Sequence, residues 1–314
     1  MTPEPLAILS NHLSTQNQED GGWLEDIVRD HSWVRRFPFD RIESIPRILK
    51  QCATEGIGTL AIDGGDGTAG VIFSGLLNDS PFTSKPALAL IPSGKTNMTA
   101  RAWGLTGNRH QAVEKLLSHH RNGTLNDAVH SQAVVTLQDN DSTPPRHGAF
   151  FGGANLVEGI LYCRRAIYPL GMPNVLSHSV AAAVLLWRAL LSGQTGTTLS
   201  AQFDGSDIRE EGRFFVVLAT TMDRMLLGIQ PSPLKRTGAL HYIGLRSGPG
   251  PIISAIPDLL RRRVAPGRSR TVIQARSVTI LSSGQYTLDG ELYRVPIEQP
   301  IKLSGHEHLR FVRW

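Results

Sequence analysis

Cysteine is nearly absent: the 314 residues hold two, Cys52 and Cys163. Two thiols so far apart make neither a disulfide framework nor a four-ligand zinc site, and their scarcity suits a reducing compartment. We expect both to be buried thiols. Long apolar runs are missing too. The longest, Val180–Leu191 (VAAAVLLWRALL), is broken by Arg188 and falls well short of the roughly 20 residues that cross a bilayer. The opening MTPEPLAILSNHLSTQ has no basic start, no apolar stretch of export-signal length and no small-residue cleavage site, so a cytoplasmic location is expected. Aromatic residues are not interleaved with the basic ones and no zinc-finger spacing occurs, which sets nucleic-acid modules aside. No internal repeat or low-complexity tract is present.

What remains is an ordinary globular composition, 40% hydrophobic with 31 glycines, at a length that suits two domains. The net charge is +5. Arg261, Arg262, Arg263, Arg268 and Arg270 concentrate it locally, which suits an anionic partner such as a phosphate substrate or an acidic membrane surface. A solvated basic loop is the plainer alternative.

The first 130 or so residues alternate short apolar runs with helical patterns, the order of a doubly wound α/β sheet. Strands are expected at Leu6–Ser10, Thr59–Ile62 and Pro86–Ile91. Helices are expected at Ser44–Glu55, Ala69–Leu77, Thr96–Trp103 and Gln111–His120, the last with Ala112, Val113, Leu116 and Leu117 on one face. From about Ala128 the texture becomes β-like, with candidate strands Ala133–Leu137, Phe214–Ala219, Ala239–Leu245, Val272–Ile280 and Glu291–Val295. Val180–Leu191 reads as one helical insertion, and Asp139–His147 and Ser247–Pro251 as loops.

Two glycine turns carry the chemistry. In LAIDGGDGTAGVIFSGLL, an apolar strand runs into Gly64, Gly65, Asp66, Gly67 and Thr68 and then into a helix. Glycines let backbone N–H groups approach an anion, and the helix adds its positive end, so this is a phosphate cradle. Asp66 is the odd member, since a carboxylate repels phosphate unless Mg²⁺ or a proton to be removed makes it useful. The plain alternative is an Asp-capped β-to-α turn. In LALIPSGKTNMTAR, Pro92, Ser93, Gly94, Lys95, Thr96 and Asn97 again lead from a strand into a helix. Two such turns at the ends of adjacent parallel strands face one crevice, which reads as a nucleotide site. His119, His120, His306 and His308 lack matching Cys or acidic partners and are expected to be surface residues.

These motifs resemble the diacylglycerol kinase catalytic-domain superfamily, which includes bacterial lipid kinases, sphingosine kinases and ceramide kinases. Its GGDGT corresponds to Gly64–Thr68, its P-x-G-T-x-N-D-x-A-R to Pro92–Arg101, and its D-G-E element to Asp289, Gly290 and Glu291. NAD kinases share GGDGT, but the order of the three motifs favours a lipid kinase. The resemblance implies an N-terminal three-layer α/β nucleotide-binding domain similar to those of NAD kinase and phosphofructokinase (1–127, with 297–314 returning to it) and a C-terminal β-sandwich-like, β-rich lipid-substrate domain (128–296). It further implies an ATP-dependent lipid kinase that uses Mg²⁺ and works peripherally at an anionic membrane surface. Glu291 would be the general base, with Asp289 beside it. Asp66 would be catalytic and hold Mg²⁺ with Asp127. Asn11, Ser14, Gly64, Gly65, Gly67, Thr68, Gly94, Lys95, Thr96 and Asn97 would bind the nucleotide.

The chain also departs from the pattern. The N-P-x-S-G loop is reduced to Asn11–Thr15, Lys95 stands where threonine is usual, and Met98 replaces an aspartate. Pro233–Gly238 (PLKRTG) lacks the acidic pair of the D-D-G turn, so the structural Mg²⁺ of some bacterial members is not expected. Two other readings stand beside the lipid kinase: a non-catalytic nucleotide- or lipid-binding relative, and a soluble small-molecule kinase resembling NAD kinase. Leu170–Leu191, with Arg164, Arg165 and Arg188, is a candidate membrane contact, or else a helix covering the sheet.

Overall fold

The structure is a computed structural model and describes residues 4–20, 22–167, 196–204, 206–225, 228–234, 238–282, 284–295 and 299–314. The candidate helix Val180–Leu191, the wider stretch Leu170–Leu191 and the middle of PLKRTG lie outside these. The chain divides into two compact units: Met1–Ala133 with Arg146–Gly148 and His308–Trp314, and Val134–Pro145 with Ala149–Glu307.

The first unit is a three-layer α/β domain. Strands β1 (Leu6–Asn11), β2 (Val34–Phe39), β3 (Thr59–Gly64) and β4 (Ala87–Pro92) run parallel in the order β2-β1-β3-β4. The strand His308–Val312 lies parallel to β4, and β5 (Val129–Ala133) closes the far edge antiparallel to it. Burial on both faces explains why β1, β3 and β4 are continuous apolar runs rather than alternating ones. By contrast β2, VRRFPF, is half-exposed and carries Pro38, as an edge strand tolerates. That polar edge character hid it from a search for apolar strands.

Helices α1 (Thr15–Glu19) and α2 (Trp23–Val28) follow β1. Helix α3 (Ile45–Thr54) buries Ile45, Ile48, Leu49 and Cys52 at helical spacing. Cys52 is fully buried, and that burial pushes its thiol up to about 12, so it is an inert packing residue. Helix α4 (Asp66–Leu77) packs on α3, where Gly75 makes room for Leu49. On the other face, Leu6, Ile8, Ala61, Ala89 and Ile91 of the sheet pack against α2 and against α6 (Arg109–Arg121). Between β4 and α6 stands the short α5 (Met98–Trp103). Arg146–Gly148 belongs to this unit, the His147 N–H donating to Ser74 Oγ on α4 at 3.0 Å.

The second unit is antiparallel β. Its strands run in the order Glu291–Val295, Gly284–Leu288, Phe150–Ala154, Arg209–Thr220, Thr197–Phe203, Ser277–Ser282, Pro300–Ser304 and Val135–Gln138. Leu240–Arg246 and Arg270–Ala275 branch off the long strand Arg209–Thr220. That strand changes register between Phe214 and Val216, pairing Thr197–Phe203 before the bulge and Phe150–Ala154 after it. Such a corner lets one strand serve two packed layers. Their core holds Phe151, Phe203, Phe214, Tyr242 and Tyr286. Two segments correct the sequence reading. Val272–Ile280 is split at Arg276 into Arg270–Ala275 and Ser277–Ser282. The unit is also not all β: it carries helices Asn155–Tyr162 and Pro249–Leu260, the second starting within the expected loop Ser247–Pro251. Proline at the first helical position is compatible with either reading.

Candidate active site

The two glycine turns meet at the C-terminal ends of β3 and β4. Gly64 ends β3, Gly65 precedes the first turn of α4, and no side chain caps that helix. Its first amides therefore stay available to an anion. The turns touch backbone to backbone: a Cβ on Gly94 would lie 2.5 Å from the Cα of Gly65. Only glycine fits. Asn97, held at a left-handed φ of 50°, fixes the second turn by accepting from the Gly94 N–H and donating to the Gly94 carbonyl, each at 2.7 Å. Asn11 of β1 joins them, its Nδ2 donating to Thr68 Oγ1 at 2.8 Å, while its Oδ1 accepts from the Leu13 N–H. Ser14 is buried at the start of α1, Thr96 is half-buried and Lys95 is exposed.

Asp66 has a second role that the sequence did not disclose. Its carboxylate accepts from the Met98 N–H at 3.1 Å and the Thr99 N–H at 2.8 Å. These are the first two amides of α5, whose preceding residue provides no side-chain cap. Asp66 thus caps α5 from across the cleft between the turns and puts a negative charge at the helix's positive end. Burial raises its pKa, opposed by the two amides.

Beneath the turns lies a buried polar network that sequence reasoning missed. Asn17 uses all four hydrogen-bonding positions of its side chain. Nδ2 donates to Asp63 Oδ2 (2.9 Å) and the Asn11 carbonyl (3.0 Å), while Oδ1 accepts from Arg109 Nη1 (2.9 Å) and Trp23 Nε1 (3.3 Å). Asp63 also accepts from Ser93 Oγ, and Arg109 pairs with Asp20 at 2.8 Å. Burial pushes the Asp63 carboxyl up, against hydrogen bonds from Ser93, Ser10 and Asn17 and the charge of Arg109. The network ties the ends of β1, β3 and β4 to α6. An acidic residue closing an otherwise apolar strand, as in LAIDGG, was the available signal. Beside Asn97 opens a cleft of about 630 Å³, with Gln16, Arg101, Asn108 and His110 among its lining.

Asp127 is exposed in the turn leading into β5. It lies at the same end of the sheet as the glycine turns, but β4 and His308–Val312 stand between β5 and β3, roughly 14 Å of sheet. Among the described residues no three His, Cys, Asp or Glu side chains converge on a metal position. The donor set does suit a magnesium carried on nucleotide phosphates, since each Asp66 oxygen accepts one amide and retains lone pairs.

In the second unit, Asp289 and Gly290 turn the chain between Gly284–Leu288 and the strand that Glu291 opens. Asp289 sits at φ 51° and its carboxylate accepts from the Ala149 and Phe150 N–H groups at 2.9–3.1 Å. These bonds fix the turn that leads into Glu291. Glu291 is exposed, 3.9 Å from Arg164 Nη2, which also donates to the Gly290 carbonyl at 2.8 Å. The same unit contains a cavity of about 350 Å³ with an almost wholly apolar lining.

A three-layer α/β unit whose glycine turns appose at the strand ends is the build of a phosphate-binding kinase domain. Residues 5–126 match the family model of the diacylglycerol kinase catalytic domain. The chain is similar over 99% of its length to a candidate diacylglycerol kinase of Bacillus anthracis strain Sterne, at 17% identity, 98% coverage of that chain and a TM-score of 0.65. A further crystal structure of a diacylglycerol kinase from the same organism gives 16% identity, coverage of 99% and 97%, and a TM-score of 0.59. No curated protein sequence matches the chain.

Proposed function

We propose that this protein is an ATP-dependent lipid kinase that transfers the γ-phosphoryl group to a hydroxyl of a lipid such as diacylglycerol or ceramide. The observation that carries the reading is the backbone contact between Gly65 and Gly94, with Asp66 bridging to α5, within a kinase domain of this family. The first-turn amides of α4 cradle phosphate oxygens, and Asn97 and Asn11 hold the turns in place. Magnesium bound to ATP would neutralise charge on the phosphates, and Asp66 is the carboxylate here that would hold it; Asp127, beyond two intervening strands, is too distant to share that ion. Glu291 takes the proton of the lipid hydroxyl as its oxygen bonds to the γ-phosphorus and the bond to the β-phosphate oxygen breaks, releasing ADP.

The lipid acceptor is supported by the apolar cavity of the second unit, where Phe215, Leu218, Met225, Ile243, Ile252 and Val264 surround a volume of about 350 Å³. An acyl chain placed there leaves water at about 25 cal/mol per Å² of apolar surface buried. The protein then works at the inner face of a membrane without crossing it; no helix among the described residues is long and apolar enough to span one.

The test is transfer of labelled γ-phosphate into detergent-dispersed diacylglycerol, ceramide, sphingoid base and monoacylglycerol by wild type, Asp66→Asn and Glu291→Gln. Label in one lipid, lost by orders of magnitude with Glu291→Gln, supports the reading. Tight ATP binding with no lipid labelled would sink it and favour the non-catalytic relative, which Lys95 and the altered Asn11–Thr15 loop motivate.

A further inference from the structure

The helix Pro249–Leu260 buries Ile252 and Ala255 against the sheet, as a surface helix should, yet its apolar arc is wider than its buried face. At 100° per residue, Ile253 and Leu260 share one side, flanked by Ile256 and Pro257, and that side faces solvent. Ile253 is 54% exposed, Leu259 46% and Leu260 80%. Seven large hydrophobic side chains are exposed among the described residues, and these three fall on this one helix. Leu234 is also 65% exposed, in a segment whose backbone bonds to Val264 and Val272.

The charge around this patch has one sign. From Pro249 to Thr271 the sequence carries five arginines and a single acid, Asp258. Asp258 is neutralised internally, 3.3 Å from Arg270 and accepting from the Ala265 N–H. Arg261, Arg262, Arg263 and Arg268 are exposed just past the leucines, and among the described residues none of them forms an ion pair. Arg262 is the more telling because it occupies the left-handed position that ends the helix, at φ 54°, its N–H donating to the Leu259 carbonyl. Glycine is the residue favoured there. An arginine stands where the backbone favours glycine.

The same helix roofs the apolar cavity. Ile252, Ala255 and Leu259 line it from above, Phe215, Leu218 and Ile243 from the sheet below. Leu259 therefore faces the cavity while remaining half-exposed.

We infer that the outer face of Pro249–Leu260, with Arg261–Arg263 and Arg268, docks on an anionic lipid bilayer, seating Ile253 and Leu260 among the acyl chains and the arginines among the headgroups. Charge complementarity selects this occupant: an apolar protein groove would satisfy the leucines but offers nothing to four exposed arginines that have no acidic partner among the described residues. The inference rests on the lipid-kinase reading only in giving the cavity beneath its content.

The test is co-sedimentation of the full chain with vesicles of phosphatidylcholine alone or mixed equally with phosphatidylglycerol. Wild type should pellet with the mixed vesicles and not with the neutral ones. Each arginine near an anionic surface contributes about 1 kcal/mol, so Arg261→Gln with Arg262→Gly should weaken binding about 25-fold. Leu260→Asp should weaken it by at least about tenfold, from the burial of one leucine. Arg262→Gly also relieves the left-handed strain, so it should melt no lower than wild type while binding worse, which separates docking from folding. Binding unchanged when Arg261→Gln, Arg262→Gly and Leu260→Asp are combined, or no preference for anionic vesicles, overturns the inference. So does a wild type that self-associates without vesicles through a contact that Leu260→Asp abolishes. Phosphorylation of a short-chain, fully dispersed acceptor is measured in parallel. If it proceeds equally in all variants while vesicle binding is absent, docking fails and the kinase reading stands. If no acceptor is phosphorylated while the variants lose vesicle binding, the reverse holds.

Discussion

Replacing Asp66 by asparagine should cost stability as well as activity. In the native structure two α5 amides, of Met98 and Thr99, donate to the two carboxylate oxygens. Asparagine keeps one acceptor and turns an NH₂ donor toward the other amide, leaving a donor unsatisfied at about 1–3 kcal/mol. Part of this is returned, because the buried charge whose desolvation raises the Asp66 pKa is gone. A net loss of about 1–2 kcal/mol follows, or about 2–8 °C in Tm at 2–4 °C per kcal/mol. Asp66→Ala strands both amides and should melt lower still. The assay is a calorimetric melt at neutral pH with and without ATP and magnesium, alongside turnover well below the melting range. If Asp66 only caps α5, turnover there falls by no more than its loss of ATP affinity; if it also serves the transferring phosphate, turnover falls by orders of magnitude with ATP still bound. Wild-type melting in both variants would refute the cap.

Gly94→Ala forces a Cβ to 2.5 Å from the Gly65 Cα, so the turns must separate, and ATP affinity by calorimetry should fall at least about tenfold, the 1.4 kcal/mol equivalent. Asn17→Asp sets a second carboxylate against Asp63 and removes both Nδ2 donors; we expect a loss of about 3 kcal/mol or more in denaturant unfolding, and an unchanged midpoint would show that the network is not structural. His147 is buried and its pKa is pushed down to about 4 from 6.5, by burial first and the Lys85 charge second. The unfolded chain therefore binds a proton that the fold refuses, and His147 withdraws about 3 kcal/mol of stability as pH falls from 6.5 to 4. Asp63 and Asp66, both raised, act the other way: protonated first in the fold, they add stability as pH falls toward the ordinary carboxylate range. The difference between wild type and His147→Gln isolates the histidine; identical pH profiles would contradict its burial as a neutral group.

The parts of this fold that composition and periodicity exposed are those with one dominant physical cause. β1, β3 and β4 are buried on both faces and read as plain apolar runs, and α6 shows its Ala112–Leu117 stripe. The glycine turns were visible because close backbone approach admits no other residue. What escaped was held by side chains distant in sequence. β2 is a polar edge strand with no apolar run to find. The cap that Asp66 places on α5 spans 32 residues, and Asn17 meets Arg109 across 92; no local pattern encodes either. Asp289 was legible as part of a motif, but its bonds to Ala149 and Phe150 span about 140 positions, so the turn it fixes was not. The arginines at 261–263 stood out as charge, while the leucines beside them became a surface only once the helix was seen.

The strand His308–Val312 lies between β4 and β5, and this sets a timetable. On the ribosome β4 and β5 emerge early, but the strand that joins them follows only after all of the second unit has been made. At about 5–20 residues per second that is on the order of ten seconds or more. Throughout that interval β4 presents an open hydrogen-bonding edge beside glycine turns that are already complete in sequence, the kind of edge that recruits other chains. The nascent protein therefore spends its longest vulnerable period with its α/β unit unsealed, and what seals that unit is the one strand it cannot yet have.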